Sequence, residues 1–157
     1  TYTKWGFWAS GNGTFGSLDN SVGTAGYDFT TAGMLAGIDY EVAEGITVGA
    51  FGGYANMRAD QNGSGGSSKA DSGRGGVYAH YFRNNWFINT VAGGGGSGYE
   101  VNRNIQFGGI NRTATGTPDG QEAFASLEVG HEFSIASWKL SPMTAFQYRH
   151  VNIDGFT

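Results

Sequence analysis

Cysteine is absent from the 157 residues, and proline occurs only twice. Without cysteine the chain forms no disulfide, no thiolate zinc site and no cysteine nucleophile. No run of about 18 apolar residues is present, which excludes a membrane-spanning helix. A charged-then-apolar leader is also missing, so Thr1 is interpreted as an internal or processed start. The formal net charge of −4 disfavours nucleic acid as a partner, because its phosphates call for a basic surface.

Glycine and aromatic residues are abundant instead: 29 Gly, 4 Trp, 8 Tyr and 11 Phe. Glycine exceeds twice its usual share of about 7% but lacks the three-residue period of collagen. Disordered linkers are poor in aromatics, so the composition does not indicate one. The length fits a single structural unit.

Apolar and polar residues alternate with a period of two over most of the chain, which predicts strands and no confident helix. In Tyr27 to Val42 the residues on one face of the predicted strand are apolar and those on the other face are small or acidic. The same pattern resumes after the turn at 43–45. Pro142 is expected to interrupt a strand ladder, since proline donates no hydrogen bond. The predicted strands are Lys4 to Phe15, Tyr27 to Val42, a strand from Ile46, Arg74 to Phe82, a strand from Trp86, Gln121 to Phe133, and a strand from Trp138.

The connections alternate in length along the chain. Long polar stretches at 16–26, 59–73 and 102–120 are predicted loops, and 43–45, 83–85 and 134–137 are predicted short turns. In an up-and-down meander every long loop then lies at one end and every short turn at the other. Membrane β-barrels have this arrangement, with short periplasmic turns and longer extracellular loops.

The apolar strand faces suit a lipid environment. As assigned, those of strands two to seven carry no Asp, Glu, Lys or Arg, and His131 is the one awkward residue. Tyr40, Trp86 and Trp138 flank short turns, as an interfacial aromatic belt would. The fold class is therefore predicted as all-β: an antiparallel up-and-down meander of about seven strands, part of a transmembrane β-barrel. The opposite faces would line a hydrated lumen; the residues assigned there are Asp39, Glu41, His80, Asn89, Glu128, Gln147 and Arg149.

Four segments resemble the β-domain of bacterial autotransporters, the translocator of type V secretion. They are Gly33 to Tyr40, Gly45 to Tyr54, Gly76 to Tyr81, and Trp138 to Pro142 leading to Tyr148 and Gly155-Phe156. The resemblance implies a 12-stranded outer-membrane barrel with a helix in its pore, which helps deliver an N-terminal passenger to the cell surface. It also implies the lipid bilayer, the passenger and the barrel-assembly machinery as partners. Small residues on the lumenal faces would leave room for the helix.

The family pattern includes a pore helix before the first strand and further strands after the seventh. Residues 1–157 are therefore interpreted as an incomplete barrel domain, the N-terminal part of a translocator. The expected role is non-enzymatic, with no catalytic residue, no metal site and no cofactor. Lumenal acids that sever a passenger are conceivable, but the cleaved linker is missing from the sequence.

Two further hypotheses stay open at this stage. An isolated fragment would self-assemble through its unpaired edge strands, into an extracellular cross-β fibre. A soluble β-sandwich binding module would also alternate apolar and polar residues. Separately, Asp60, Asn62, Ser64, Gly65 and Asp71 match positions of an EF-hand-like loop without its helices, so calcium binding there is left undecided.

Overall fold

The computed structural model describes residues 4–21, 25–63, 66–107 and 110–155, and ten strands occupy most of them. No described residue lies in a helix, so no helix that could cross a membrane is found among them. The strands are β1 (Trp5–Leu18), β2 (Tyr27–Ala43), β3 (Ile46–Gln61), β4 (Gly66–Arg83), β5 (Trp86–Phe107), β6 (Ile110–Gly116), β7 (Asp119–His131), β8 (Phe133–Ile135), β9 (Trp138–Leu140) and β10 (Met143–Ile153).

All neighbouring strands pair antiparallel, in the order β1-β2-β3-β4-β5-β7-β10. Strand β6 pairs only with the far end of β5, and β8 and β9 form a separate hairpin between β7 and β10. The sheet does not close on itself, and β1 and β10 are its edges. This confirms the predicted meander of about seven strands.

Three breaks separate short strands from long ones in the described ranges. Residues 117–118 divide β6 from β7, Glu132 divides β7 from β8, and Ser141-Pro142 divides β9 from β10, as expected for Pro142. At Glu132 the backbone N–H donates to the Asn85 carbonyl at 2.8 Å, and Asn85 Nδ2 donates to the Glu132 carbonyl at 3.2 Å. The neighbouring turn therefore supplies the hydrogen bonds that the ladder lacks here.

The three short turns are confirmed at Glu44-Gly45, Asn84-Asn85 and Ala136-Ser137. Gly45 has φ 76°, and both residues of the Asn84-Asn85 turn have positive φ, at 51° and 67°. Two consecutive positive φ values are typical of type I′ hairpin turns, which match the twist of the flanking strands.

The predicted long loops at 59–73 and 102–120 are wrong for most of their length. Residues 66–73 belong to β4 and pair with β3, and β5 runs on to Phe107 to pair with β6. Part of 16–26 is also strand, since β1 continues to Leu18. These segments lack an apolar alternation because both of their faces meet water, yet their backbone groups still pair across the hairpins.

The two faces of the sheet differ in exposure. Along β2 the odd-numbered residues from Phe29 to Asp39 are half-buried, while the even-numbered ones from Thr30 to Ile38 are exposed. We name the half-buried side the inner face and the exposed side the outer face, and the register carries each face across the sheet. The described residues include no buried hydrophobic side chain, so they form no sandwich core.

Candidate functional site: the outer face and the inner face

The outer face carries an uncharged band. On β3 the band runs from Ile46 through Val48, Ala50 and Gly52 to Tyr54, which is nine residues of strand. A tilted strand needs about 9–11 residues to cross a bilayer. The register extends the band without Asp, Glu, Lys or Arg; its other members are Phe7, Ala9, Gly11, Gly13, Ala32, Met34, Ala36, Ile38, Gly73, Gly75, Val77, Ala79, Ile88, Thr90, Ala92, Gly94, Ala125, Leu127, Val129, Thr144 and Phe146.

Aromatic residues lie at both ends of this band. Trp5 and Tyr40 are neighbours near the short-turn end, with ring centroids 4.8 Å apart. Trp86 and Trp138 also lie at that end, each directly after a short turn, and are 51% and 72% exposed. The far end carries Phe15, Tyr54 and Tyr148. The stretch Trp5 to Phe15 spans 11 residues of β1, which matches one bilayer crossing.

The far aromatic rim runs obliquely to the strand register. Phe15 shares a row with Arg58, four residues beyond Tyr54, whereas Tyr148 shares a row with Ala50, four residues before it. If the aromatic rim lies in the plane of the membrane surface, it crosses the register in this way only when the strands are tilted from the membrane normal. Barrel strands are tilted by about 35–45°. The aromatic positions are therefore those expected for a tilted wall.

His131, the awkward residue of the apolar face, lies at the short-turn end of the band. Its ring is between Trp86 and Phe133, with centroids 4.7 and 4.4 Å away. Nδ1 is buried and has no hydrogen-bond partner among the described residues. The imidazole is thus part of an aromatic cluster at the rim rather than a polar group in mid-band.

Charged side chains of the outer face begin beyond Tyr54. At the far end they are Asp28, Arg58, Asp60, Lys69, Asp71 and Glu100 on the parts of β2 to β5 that continue past the band, and Asp119 at the start of β7. At the short-turn end Arg83 lies on the same face. The Tyr54 hydroxyl donates to Asp71 Oδ1, and Asn56 Nδ2 donates to the same atom at 2.8 Å. These hydrogen bonds hold the pKa of the Asp71 carboxyl below its usual value. The strands therefore leave the apolar zone and continue into water.

All seven residues assigned to the lumen lie on the inner face, by register. Three of them form one hydrogen-bonded line: Asn89 Nδ2 donates to Glu128 Oε1 at 2.7 Å, and Asn89 Oδ1 lies 2.5 Å from His80 Nδ1. A carboxylate only accepts, so the amide orientation is fixed and His80 Nδ1 carries the donated proton. Neighbouring Glu41 and Thr47 complete this polar row toward β2.

A second line on the inner face joins three strands. Trp8 Nε1 donates to the Tyr78 hydroxyl at 2.8 Å, and that hydroxyl donates to Asp39 Oδ2 at 2.8 Å. The register places Trp8 on the inner face, opposite Gly37. The partners are up to 70 residues apart in the chain, so only the register brings them together.

One inner-face residue, Arg74, was missed by sequence reasoning about the site. Arg74 and Arg149 both approach Glu122: Arg149 Nε lies 3.2 Å from Oε2, and Arg74 Nε lies 3.9 Å from Oε1. Arg149 and Glu122 lie on strand faces that the alternation assigns to the lumen, whereas Arg74 was not assigned. Its charge, opposite to that of Glu122, and its position on the inner face of β4 were a usable signal.

Inner-face glycines do not leave the space that the sequence suggested. Six of them lie directly opposite an aromatic residue, and a Cβ added at any of them would come closer than 3.0 Å to a ring atom of that residue. The rings thus fill the surface above the bare backbone, an arrangement known to support glycine in sheets. The pairs are Gly16 with Phe29, Gly37 with Trp8, Gly49 with Tyr78, Gly76 with Phe51, Gly93 with Phe124 and Gly130 with Phe87.

The EF-hand-like segment is a strand hairpin for most of its length. Asp60 lies on β3 and Asp71 on β4, with Ser64 and Gly65 outside the described residues. Within the described ranges no three His, Cys, Asp or Glu side chains group as a metal site.

A meander with an uncharged, aromatic-rimmed outer band and a polar inner face defines the wall of an outer-membrane β-barrel. The chain belongs to the autotransporter beta-domain family, whose family model matches residues 7–157. It is an outer-membrane protein of the type V secretion translocator class.

Solved translocator domains share this fold. The beta domain of the Bordetella autotransporter BrkA is 24% identical with a TM-score of 0.68, and 95% of this chain covers 58% of that chain. The translocator domain of NalP from Neisseria meningitidis is 16% identical with a TM-score of 0.69, and 97% of this chain covers 50% of it. Esterase EstA from Pseudomonas aeruginosa is 22% identical over 98% of this chain, which spans only 24% of that protein.

Proposed function

We propose that the chain supplies part of the wall of an outer-membrane pore that helps deliver an N-terminal passenger to the cell surface. One observation carries the proposal: the uncharged outer band of 9 to 11 residues recurs on successive strands, with aromatic residues at both ends. A Lys or Arg at mid-bilayer costs about 2–4 kcal/mol, so this pattern favours a face that contacts lipid.

The inner face supports the lumenal half of the proposal. Its carboxylates, amides and hydroxyls are joined in hydrogen-bonded lines across strands, which hold polar side chains flat against the wall. Such a surface stays hydrated and offers a polypeptide polar contacts without a deep apolar pocket. The proposed role is transport rather than catalysis, and the inner-face groups act by solvating the pore and contacting the passing chain.

The comparison with relatives supports a proposal about the extent of the wall. The chain spans 50–58% of two solved translocator domains, so we propose that residues 1–157 form one part of a larger barrel. Edges β1 and β10 each have a single neighbour in this sheet and would pair with further strands. The same unpaired edges favour self-association as a second candidate, in which isolated chains would stack edge to edge.

Surface delivery by the full-length protein tests the proposal. A protease-cleavable reporter placed in the N-terminal passenger position should become accessible to protease on intact Gram-negative cells, and the folded barrel should show heat-modifiable gel mobility. Ala50→Arg, in mid-band, should reduce both signals, whereas Ser67→Arg, on the outer face beyond the band, should leave both unchanged.

Two outcomes contradict the translocator. One is a reporter that stays protected while the barrel is folded in the outer membrane. The other is an Ala50→Arg variant that behaves like Ser67→Arg. Fibres of the purified protein with a 4.7–4.8 Å repeat, in place of a detergent-solubilised barrel, would favour edge stacking instead.

A further inference from the structure

Arg74, Glu122 and Arg149 form a three-residue cluster on the inner face, outside the two hydrogen-bonded lines. Arg149 donates to Glu122 Oε2 through Nε and Nη2, and Arg74 Nε lies 3.9 Å from Oε1. The Glu122 side chain is only 14% exposed, whereas those of Arg74 and Arg149 are 41% and 63% exposed. Two solvent-exposed guanidinium groups therefore lie beside one largely buried carboxylate.

The cluster has a surplus of one positive charge and unused donors. A guanidinium offers five N–H donors. Arg149 uses two nitrogens on Glu122, and Arg74 makes an ion pair beyond hydrogen-bonding distance. Across the described part of the chain no other acidic side chain lies within 4.0 Å of either arginine. The three residues line a cavity together with Ser72, Ser97 and Tyr99.

The position of the cluster along the strands is distinctive. Arg149 lies one residue beyond the rim residue Tyr148, and Arg74 is adjacent to Gly73, the band residue at the far end of β4. The inner-face carboxylates Asp39 and Glu128 lie toward the short-turn end instead. Positive charge is thus concentrated at the far mouth of the inner face and negative charge at the near end. A polypeptide carboxylate would be repelled at one level and attracted at the other.

We propose that Arg74, Glu122 and Arg149 form a binding site for an acidic side chain of a polypeptide in the lumen. This rests on the proposed function, because it requires that the inner face line a pore occupied by a polypeptide. A single carboxylate matches the site: Glu122 already neutralises one cation, and the planar donors of the other fit a second carboxylate through paired hydrogen bonds. Glu122 sets the strength of the site by competing for the same donors.

Peptide block of the conducting pore tests the site. The full-length protein is inserted into planar lipid bilayers, and a Gly/Ser peptide carrying several Glu residues is compared with the same peptide carrying Gln. The concentration that halves the current should be about ten-fold lower for the Glu peptide, the size expected for one charge-assisted pair. Only variants that keep the heat-modifiable mobility of the wild type are compared.

Removing the arginines and removing the carboxylate are expected to change the preference for the Glu peptide in opposite directions. Arg74→Gln with Arg149→Gln should abolish the preference for the Glu peptide, whereas Glu122→Gln should increase it, because both arginines are then free. A purely structural ion-pair cluster would instead make all three substitutions act in the same direction. Arg58→Gln is the control, since Arg58 lies exposed on the outer face.

Each remaining outcome decides one question. Equal block by the two peptides, or a preference that survives loss of both arginines, overturns the site. Block by inorganic phosphate at the same concentration as the Glu peptide shows a general anion site and also overturns the peptide proposal. Failure of the wild type to conduct any current counts against the pore itself, and thus against the proposed function rather than the site.

Discussion

Gly49 and Tyr78 face each other on the inner side of β3 and β4, and the ring of Tyr78 covers the glycine backbone. In Gly49→Ala the new Cβ would lie closer than 3.0 Å to ring atoms, so the ring has to turn away. The Tyr78 hydroxyl would then lose its two 2.8 Å hydrogen bonds, with Trp8 and Asp39. One methyl group therefore disrupts the hydrogen bonds that join β4 to β1 and β2.

The expected loss of stability follows from these contacts. Two hydrogen bonds at about 0.5–1.5 kcal/mol each, with about 1–3 kcal/mol for overpacking, give about 2–6 kcal/mol. At a slope of about 2 kcal/mol per molar urea, the unfolding midpoint should fall by about 1–3 M. Tryptophan fluorescence of the refolded full-length protein in detergent reports the transition, because Trp8 itself contacts Tyr78.

Gly73→Ala is the matched control, since it lies on β4 but points outward, where no atom is within 4 Å of an added Cβ. Its midpoint should stay near that of the wild type. In a Tyr78→Ala background the ring is gone, so adding Gly49→Ala should cost almost nothing further. Equal effects of Gly49→Ala and Gly73→Ala, or a full cost of Gly49→Ala without the ring, would refute this steric account.

Three further predictions follow from the two faces. Asn89→Leu should lower stability by about 1–3 kcal/mol, because it leaves two hydrogen-bonded neighbours unpaired, whereas unchanged urea unfolding would show that water replaces the amide. Met34→Asp, in the outer band, should reduce the heat-modifiable fraction, and Asp28→Asn beyond the band should not; equal behaviour would place the lipid boundary elsewhere. The pKa of the Asp71 carboxyl is lowered in the folded protein, so the stabilisation by its hydrogen bonds persists above the ordinary carboxyl pKa of 3.8 and is lost as the pH falls through the lower folded value. The wild type should therefore lose more stability on acidification than Asp71→Asn. Parallel curves of stability against pH for the two proteins would contradict this.

Much of the wall could be predicted from the sequence because lipid and water impose a period of two. Ile46 to Tyr54 alternates cleanly, and the short turns carry residues such as Asn84-Asn85 that tolerate positive φ. The facing of Asp39, His80 and Glu128 follows from the same alternation. Where the strands leave the bilayer the constraint disappears, and Gly66 to Gly73 shows only small and polar residues that resemble a loop.

Contacts that depend on register could not be predicted. Trp8 meets Gly37, and Tyr78 meets Gly49, only after each strand has been aligned with its neighbour. A slip of one residue would place each ring on the other face. From the sequence alone the glycines therefore predict open space on the inner face, whereas in the sheet the aromatic rings of their partners fill that space. The pairing of Arg74 with Glu122 needs the alignment of β4, β5 and β7 together.

The overhang of the strands beyond the aromatic rim has a practical consequence. From Gly73 to Gly66, β4 continues for eight residues, about 25 Å of strand and nearly 20 Å of height at a tilt of about 45°. The paired strand ends Gln61 and Gly66 are therefore carried clear of the lipid head groups. A short peptide inserted between them would be displayed to antibodies at the level of the cell-surface sugars, while the register of the lipid-facing band below remains unchanged.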